Sequence, residues 1–103
     1  MGYSSNEMKR EYNNECKEQR MKNLIKLREE IANTSQIGLI RVLGFTKNDI
    51  SELENGTRNL SLYHIQAYKK YFREHHNMEI SVDFLMGYTD IMENQKMNIG
   101  AET

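Results

Sequence analysis

The chain has 103 residues, of which 38% are hydrophobic and 28% charged, a balance that supports one folded core and excludes a fully disordered segment. Its 14 Lys and Arg against 15 Asp and Glu leave a net charge of −1, with a pI near 6.3. That excludes a uniformly basic surface of the kind that binds polyanions regardless of sequence, and leaves only the local field of a smaller patch to consider.

No proline or tryptophan occurs, and β-formers are sparse, so the expected fold class is all-α. No apolar run approaches the ~20 residues that cross a bilayer, and Met1–Glu18 lacks the apolar centre of a secretory leader. The single cysteine, Cys16, cannot form an internal disulfide and suits a reducing compartment. The expectation is a cytoplasmic protein with no membrane contact.

Taken in chain order, Met8, Tyr12 and Cys16 share a helical face, so residues 1–19 read either as a helical extension or as added length on the first helix. Leu24, Leu27 and Ile31 mark that first helix, which fades at Ala32-Asn33-Thr34. A second helix runs from about Gln36 to Leu43, with Leu39, Val42 and Leu43 on its buried face, Ser35 as its cap and Gly44 at its end. A third begins after Thr46, where Thr46-Lys47-Asn48-Asp49 has the form of a capping box. It buries Ile50 and Leu53 and stops at Asn55-Gly56. A fourth starts at Ser61 and reaches about His75, burying Ile65, Tyr68 and Phe72. The last is capped by Ser81 and buries Val82, Leu85 and Met86 before Gly87. The tail, 91–103, reads as frayed or as a short helix for a partner.

The informative spacing lies between Ser35 and Gly56. Two short helices flank the turn Leu43-Gly44-Phe45-Thr46, where glycine permits a sharp reversal and Phe45 can fill the space between the helices. That is the pattern of a helix-turn-helix, whose second helix fits the width of the DNA major groove. Its outward positions are Lys47, Asn48, Ser51 and Glu52. Lysine donates to guanine, asparagine pairs with adenine, and glutamate accepts from cytosine. Ser35, Gln36, Thr46, Asn55, Thr57 and Arg58 lie at helix ends and in the following loop, where short polar groups and amides hold phosphates. Asp49 reads as a first-turn cap near the positive end of the helix dipole. Glu52 stays open between a surface residue and a base reader, and Arg58 between a phosphate contact and a free cation.

The run Ser35-Gln36, Leu39, Val42-Leu43-Gly44-Phe45-Thr46, Ile50-Ser51, Leu53-Glu54-Asn55-Gly56 and Arg58 resembles the Cro/lambda-repressor (XRE) helix-turn-helix family. Leu27-Arg28-Glu29-Glu30 is similar to the end of that family's first helix, and Asp83-Phe84-Leu85-Met86-Gly87-Tyr88-Thr89-Asp90 to its closing signature. The resemblance implies a five-helix DNA-binding domain over residues 20–90 that acts as a homodimer on paired half-sites of double-stranded DNA, as a transcriptional regulator and more specifically a repressor. It also implies a structural ion pair between Arg28 and Glu54, phosphate contact by Gln36, Asn55 and Arg58, and base contact by Lys47, Asn48, Ser51 and Glu52. The chain departs from the family pattern at Ile40, where a small residue is usual, at the acidic Asp49 and Glu52, and in the longer stretch from Tyr71 to Glu79.

His64, His75 and His76 lack the companions of a metal site, and Cys16 lacks a base partner. No cofactor, metal or catalytic residue is expected. Tyr63, Tyr68, Tyr71 and Tyr88 read as core and edge packing. The alternative function is a protein-interaction adaptor, antitoxin-like or antirepressor-like, that keeps the fold without reading DNA. The candidate dimer surfaces are the extension around Met8, Tyr12 and Cys16 and the tail around Ile91, Met92 and Met97, and a protein partner would dock on the same extension or tail.

Overall fold

The computed structural model describes residues 5–46 and 48–93, with side chains from Cys16 onward. The first helix, α1 (Ser5–Lys26), passes without a break into a wider π-helical segment, Leu27–Ala32. It is followed by α2 (Gln36–Leu43), α3 (Asp49–Asn55), α4 (Leu62–His76) and α5 (Val82–Met86). Among the described residues β pairing is limited to an isolated bridge between Ile80 and Glu93.

α1 is one helix across the point where the sequence reading placed the end of an extension, because Cys16, Arg20, Asn23, Leu24 and Leu27 form a continuous buried stripe at helical spacing. The side chains of Met8 and Tyr12 lie outside the described residues. α1 packs against α3 and α5. The approach to α5 is close: a Cβ at Gly87 would lie 2.4 Å from the Cys16 carbonyl oxygen and 2.6 Å from the Arg20 nitrogen. Both are backbone atoms that cannot swing aside, so this contact requires glycine. The π segment ends at Asn33, in the left-handed region at φ 52°, whose N–H donates to the Arg28 carbonyl.

Local signals explain most of the remaining boundaries. Ser35 Oγ accepts the Gly38 N–H at 3.0 Å, and α2 ends at Gly44, whose φ of 77° costs an L-residue roughly 1–2 kcal/mol. Ser81 caps α5 through the Phe84 N–H at 3.0 Å. Ser61 caps α4, and the partner three residues on is His64, standing where a capping box usually has Glu or Gln. α4 ends at Asn77 (φ 54°). Lys69 Nζ then donates to the Ile80 carbonyl at 2.6 Å, and Lys69 and Arg73 each lie 3.5 Å from Glu79. These contacts hold the long connection between α4 and α5.

One core joins all the helices. Leu24, Leu27, Leu39, Ile50, Leu53, Tyr68, Phe72, Ile80, Phe84 and Leu85 have no exposed surface, and each such side chain contributes about 1.5–3 kcal/mol of burial.

Four expectations need correction. Val42 is 54% exposed, because Leu39 and Leu43 take the whole inward arc of the eight-residue α2. Val82 is 43% exposed and Phe84 fully buried, so the inward face of α5 is rotated from the expected phase. α3 starts at Asp49 rather than directly after Thr46, with no side-chain cap from Asn48. What survives of the expected box is its return arm, in which the Thr46 N–H donates to Asp49 Oδ2 at 3.1 Å. Finally, Ile91–Glu93 is neither frayed nor helical: the Ser81 N–H donates to the Met92 carbonyl at 3.0 Å, and Met92 packs on the core. Met97 lies outside the described residues.

Candidate functional site

α3 is held on one side by hydrophobic burial and on two others by arginines. Ile50 and Leu53 are fully buried, which fixes the rotation of the helix about its axis. Asn48, Ser51 and Asn55 are then exposed. Of the other two expected base readers, Glu52 is half-buried and Lys47 lies outside the described residues.

The inner arginine is Arg28. Its Nε donates to Glu54 Oε2 at 2.8 Å and its Nη2 to Oε1 at 3.0 Å, a two-pronged geometry that suits a planar guanidinium. Arg28 Nη1 also donates to the Thr34 carbonyl at 3.1 Å. The hydrogen bond to Glu54 outweighs burial and raises the Arg28 pKa. The Gln36 amide, expected to serve a phosphate, donates here to Glu54 Oε1 at 3.0 Å. One buried carboxylate therefore ties the π segment, α2 and α3 together. Tyr68 lies under the same cluster, fully buried, with a hydroxyl that has no hydrogen-bond partner. Burial, then the charge of Glu54, pushes its pKa up.

The outer arginine is Arg58. Its Nε donates to Glu52 Oε1 at 2.7 Å, its Nη2 meets the same oxygen, and its Nε is 3.4 Å from Asp49 Oδ1. The loop carrying it is pinned to α3: the Arg58 and Thr57 N–H groups both donate to the Glu52 carbonyl. Thr57 also donates to Asn55 Oδ1 from its N–H at 3.0 Å and its hydroxyl at 2.7 Å. Asp49, Glu52 and Glu54 thus each have a described partner, although the two arginines leave one of the three negative charges uncompensated.

Beneath Asp49 sits His64, 5% exposed. The Ser61 N–H donates to His64 Nδ1 at 3.1 Å, which assigns the neutral ring with its proton on Nε2. Nε2 is 4.0 Å from Asp49 Oδ2, and Phe45 packs edge-on at 5.0 Å between centroids. Burial lowers the His64 pKa, Asp49 works against this, and Arg58 adds to it. Asp49 is pushed up by burial, but the Thr46 amide and hydroxyl, Arg58 and His64 together bring it below the usual carboxylate range.

The other expected phosphate ligands flank α3. Ser35 and Thr46 are exposed at the start of α2 and before α3, and Thr57 is exposed after it. Sequence reasoning missed two features. The first is the pairing of Arg58 with Glu52 and Asp49, which crosses a helix end at a spacing no periodicity marks. The second is His64 as a capping residue, for which Ser61-Leu62-Tyr63-His64 was the available signal. Tyr63, expected to pack in the core or at an edge, is 54% exposed with its ring 5.4 Å from that of Phe45, and donates its hydroxyl to the Gly44 carbonyl at 3.1 Å, closing the end of α2.

Among the described residues no group of three His, Cys, Asp or Glu could hold a metal ion, and no helix is long and apolar enough to cross a membrane. No protein-family model matches the chain, and neither a curated protein nor a solved structure does.

Proposed function

We propose that the chain binds double-stranded DNA sequence-specifically through the outward face of α3, acting as a homodimeric transcriptional regulator of the Cro/lambda-repressor kind, and as a repressor. The observation that carries this reading is the division of α3 into a locked side and a polar, exposed one. Ile50, Leu53 and the Arg28–Glu54 pair hold the helix, while Asn48, Ser51 and Asn55 remain outward. A helix that is rigid behind and polar in front suits the major groove, where asparagine can pair with adenine and serine with several base edges. Pairing with Arg28 and Arg58 offsets two of the three carboxylate charges of this helix, which lessens their repulsion of phosphate. Ser35, Thr46, Asn55, Thr57 and Arg58 flank the face at positions suited to the backbone of the duplex. A single helix reads few base pairs, so two copies on half-sites about one helical turn apart are needed for useful specificity.

Selection from a random duplex pool, followed by a salt titration of the enriched sequence, tests this. The expected result is a two-fold-related motif whose log affinity falls steeply with log salt. Absence of enrichment at low salt would remove the reading. The second reading, a protein-interaction adaptor, is favoured by one observation: Ile37, Val42 and Leu62 are 62%, 54% and 68% exposed. Failure of selection together with substitution-sensitive binding of a protein partner at these residues would support it.

A further inference from the structure

Arg58 is a residue that a phosphate would recruit, yet its guanidinium already faces oxyanions of the chain itself. Nε donates to Glu52 Oε1 at 2.7 Å and lies 3.4 Å from Asp49 Oδ1. A carboxylate and a phosphate offer a guanidinium the same kind of acceptor. Asp49 is fixed, 6% exposed and held by the Thr46 N–H. By contrast, the side chains of Arg58 and Glu52 are 42% and 35% exposed, so their contact can be exchanged by side-chain rotation. The loop backbone need not move, because the Arg58 and Thr57 N–H groups anchor it to the Glu52 carbonyl.

We infer that Glu52 is an internal stand-in for DNA phosphate: it occupies Arg58 in the free protein and on random sequence, and releases it only where Glu52 gains a donor of its own. This rests on the reading of α3 as a duplex-binding helix. In the major groove the donor is the cytosine N4 amino group, the base atom that matches a carboxylate. At a site with cytosine opposite Glu52, the carboxylate moves to the base and Arg58 moves to the backbone. At a site without it, breaking the pair leaves Glu52 unsatisfied, and Arg58 stays where it is. Glu52 thereby makes one phosphate contact conditional on base identity, which lowers affinity for random DNA and widens discrimination.

The test is binding of a fluorescent random-sequence duplex between 50 and 200 mM salt by the wild-type chain, Glu52→Gln and the double variant Glu52→Gln/Arg58→Ala. One added phosphate contact steepens the log–log salt slope by ~0.9, equivalent to a roughly 3-fold greater loss of affinity over this range. Glu52→Gln should bind random duplex more tightly with that steeper slope, and the double variant should return to the wild-type slope. An unchanged slope in Glu52→Gln overturns the inference. So does a steep slope kept by the double variant, which would trace the effect to lost repulsion rather than to a released Arg58. In either case measurable wild-type binding leaves the duplex-binding reading standing; no binding by any of the three at 50 mM salt overturns the inference, and the duplex-binding reading is then decided by the selection experiment.

Discussion

Two arginines reach α3 from different sides and meet a glutamate there, in unlike surroundings. The side chains of Arg28 and Glu54 are 13% and 3% exposed, whereas those of Arg58 and Glu52 are 42% and 35% exposed. In the first pair the carboxylate is buried and the guanidinium largely so, and the Gln36 amide and the Thr34 carbonyl add to their hydrogen bonds. Such a pair is costly to break, because either partner alone would be a buried, uncompensated charge. In the second, water reaches both partners in the free protein, so their separation there costs little. In a groove that excludes water, Glu52 needs a donor of its own before another oxyanion can take its place on Arg58. The same chemistry thus serves as a fastening on one side of the helix and as an exchangeable contact on the other.

The comparison is broken most sharply at Glu54. Glu54→Ala should lower unfolding free energy in urea by about 3–5 kcal/mol; a loss under about 1 kcal/mol would make the inner pair no different from the outer one. The next effect is pH-dependent and belongs to the outer side. His64 has a folded pKa below its unfolded value, so its contribution is complete above the ordinary histidine range, about 6.5, and is lost as pH falls through the folded value. Protonating Nδ1 would also end its acceptance of the Ser61 N–H. Stability should therefore begin to fall below about pH 6.5. His64→Gln, which keeps a capping-box side chain at that position, should remove this limb and leave the lower one that arises as Asp49 takes up a proton. Ser61→Ala should cost about 1 kcal/mol at neutral pH, and a flat response to both substitutions would contradict the capping geometry. Tyr68→Phe deletes a buried hydroxyl with no partner, so thermal unfolding should show stability unchanged or up to about 1 kcal/mol higher; a clear loss would mean that the hydroxyl supports the Arg28–Glu54 cluster. Glu52→Ala, at the exposed end, should change stability by no more than about 1 kcal/mol.

The boundaries of these helices were legible because their signals are local. Ser35, Gly44, Ser61, Ser81 and Gly87 act on backbone groups within a few residues of themselves. The phase of α2 and α5 was legible only in part: Leu39, Leu43 and Leu85 are buried as expected, while Val42 and Val82 are not. Which side of so short a helix is buried depends on what packs against it, as Val42 and Val82 show. Arg28 and Glu54 are far apart in sequence and were connected only through the family resemblance; no spacing rule brings them together. Arg58 and Glu52 meet because the chain reverses at Gly56 (φ 84°), and the turn aims the guanidinium back along α3. That direction is a property of the folded loop, and residue types alone do not carry it.

The account stands or falls on whether the outward face of α3 reads base identity. Duplex selection should be run in parallel on the wild-type chain, Asn48→Ala and Arg58→Ala. The expected result is a changed base preference at the position facing Asn48, with Arg58→Ala leaving that position unchanged while lowering affinity and weakening the preference for cytosine opposite Glu52. If Asn48→Ala enriches the same sequence as the wild type with the same discrimination, α3 is not the reading helix and the central claim is wrong.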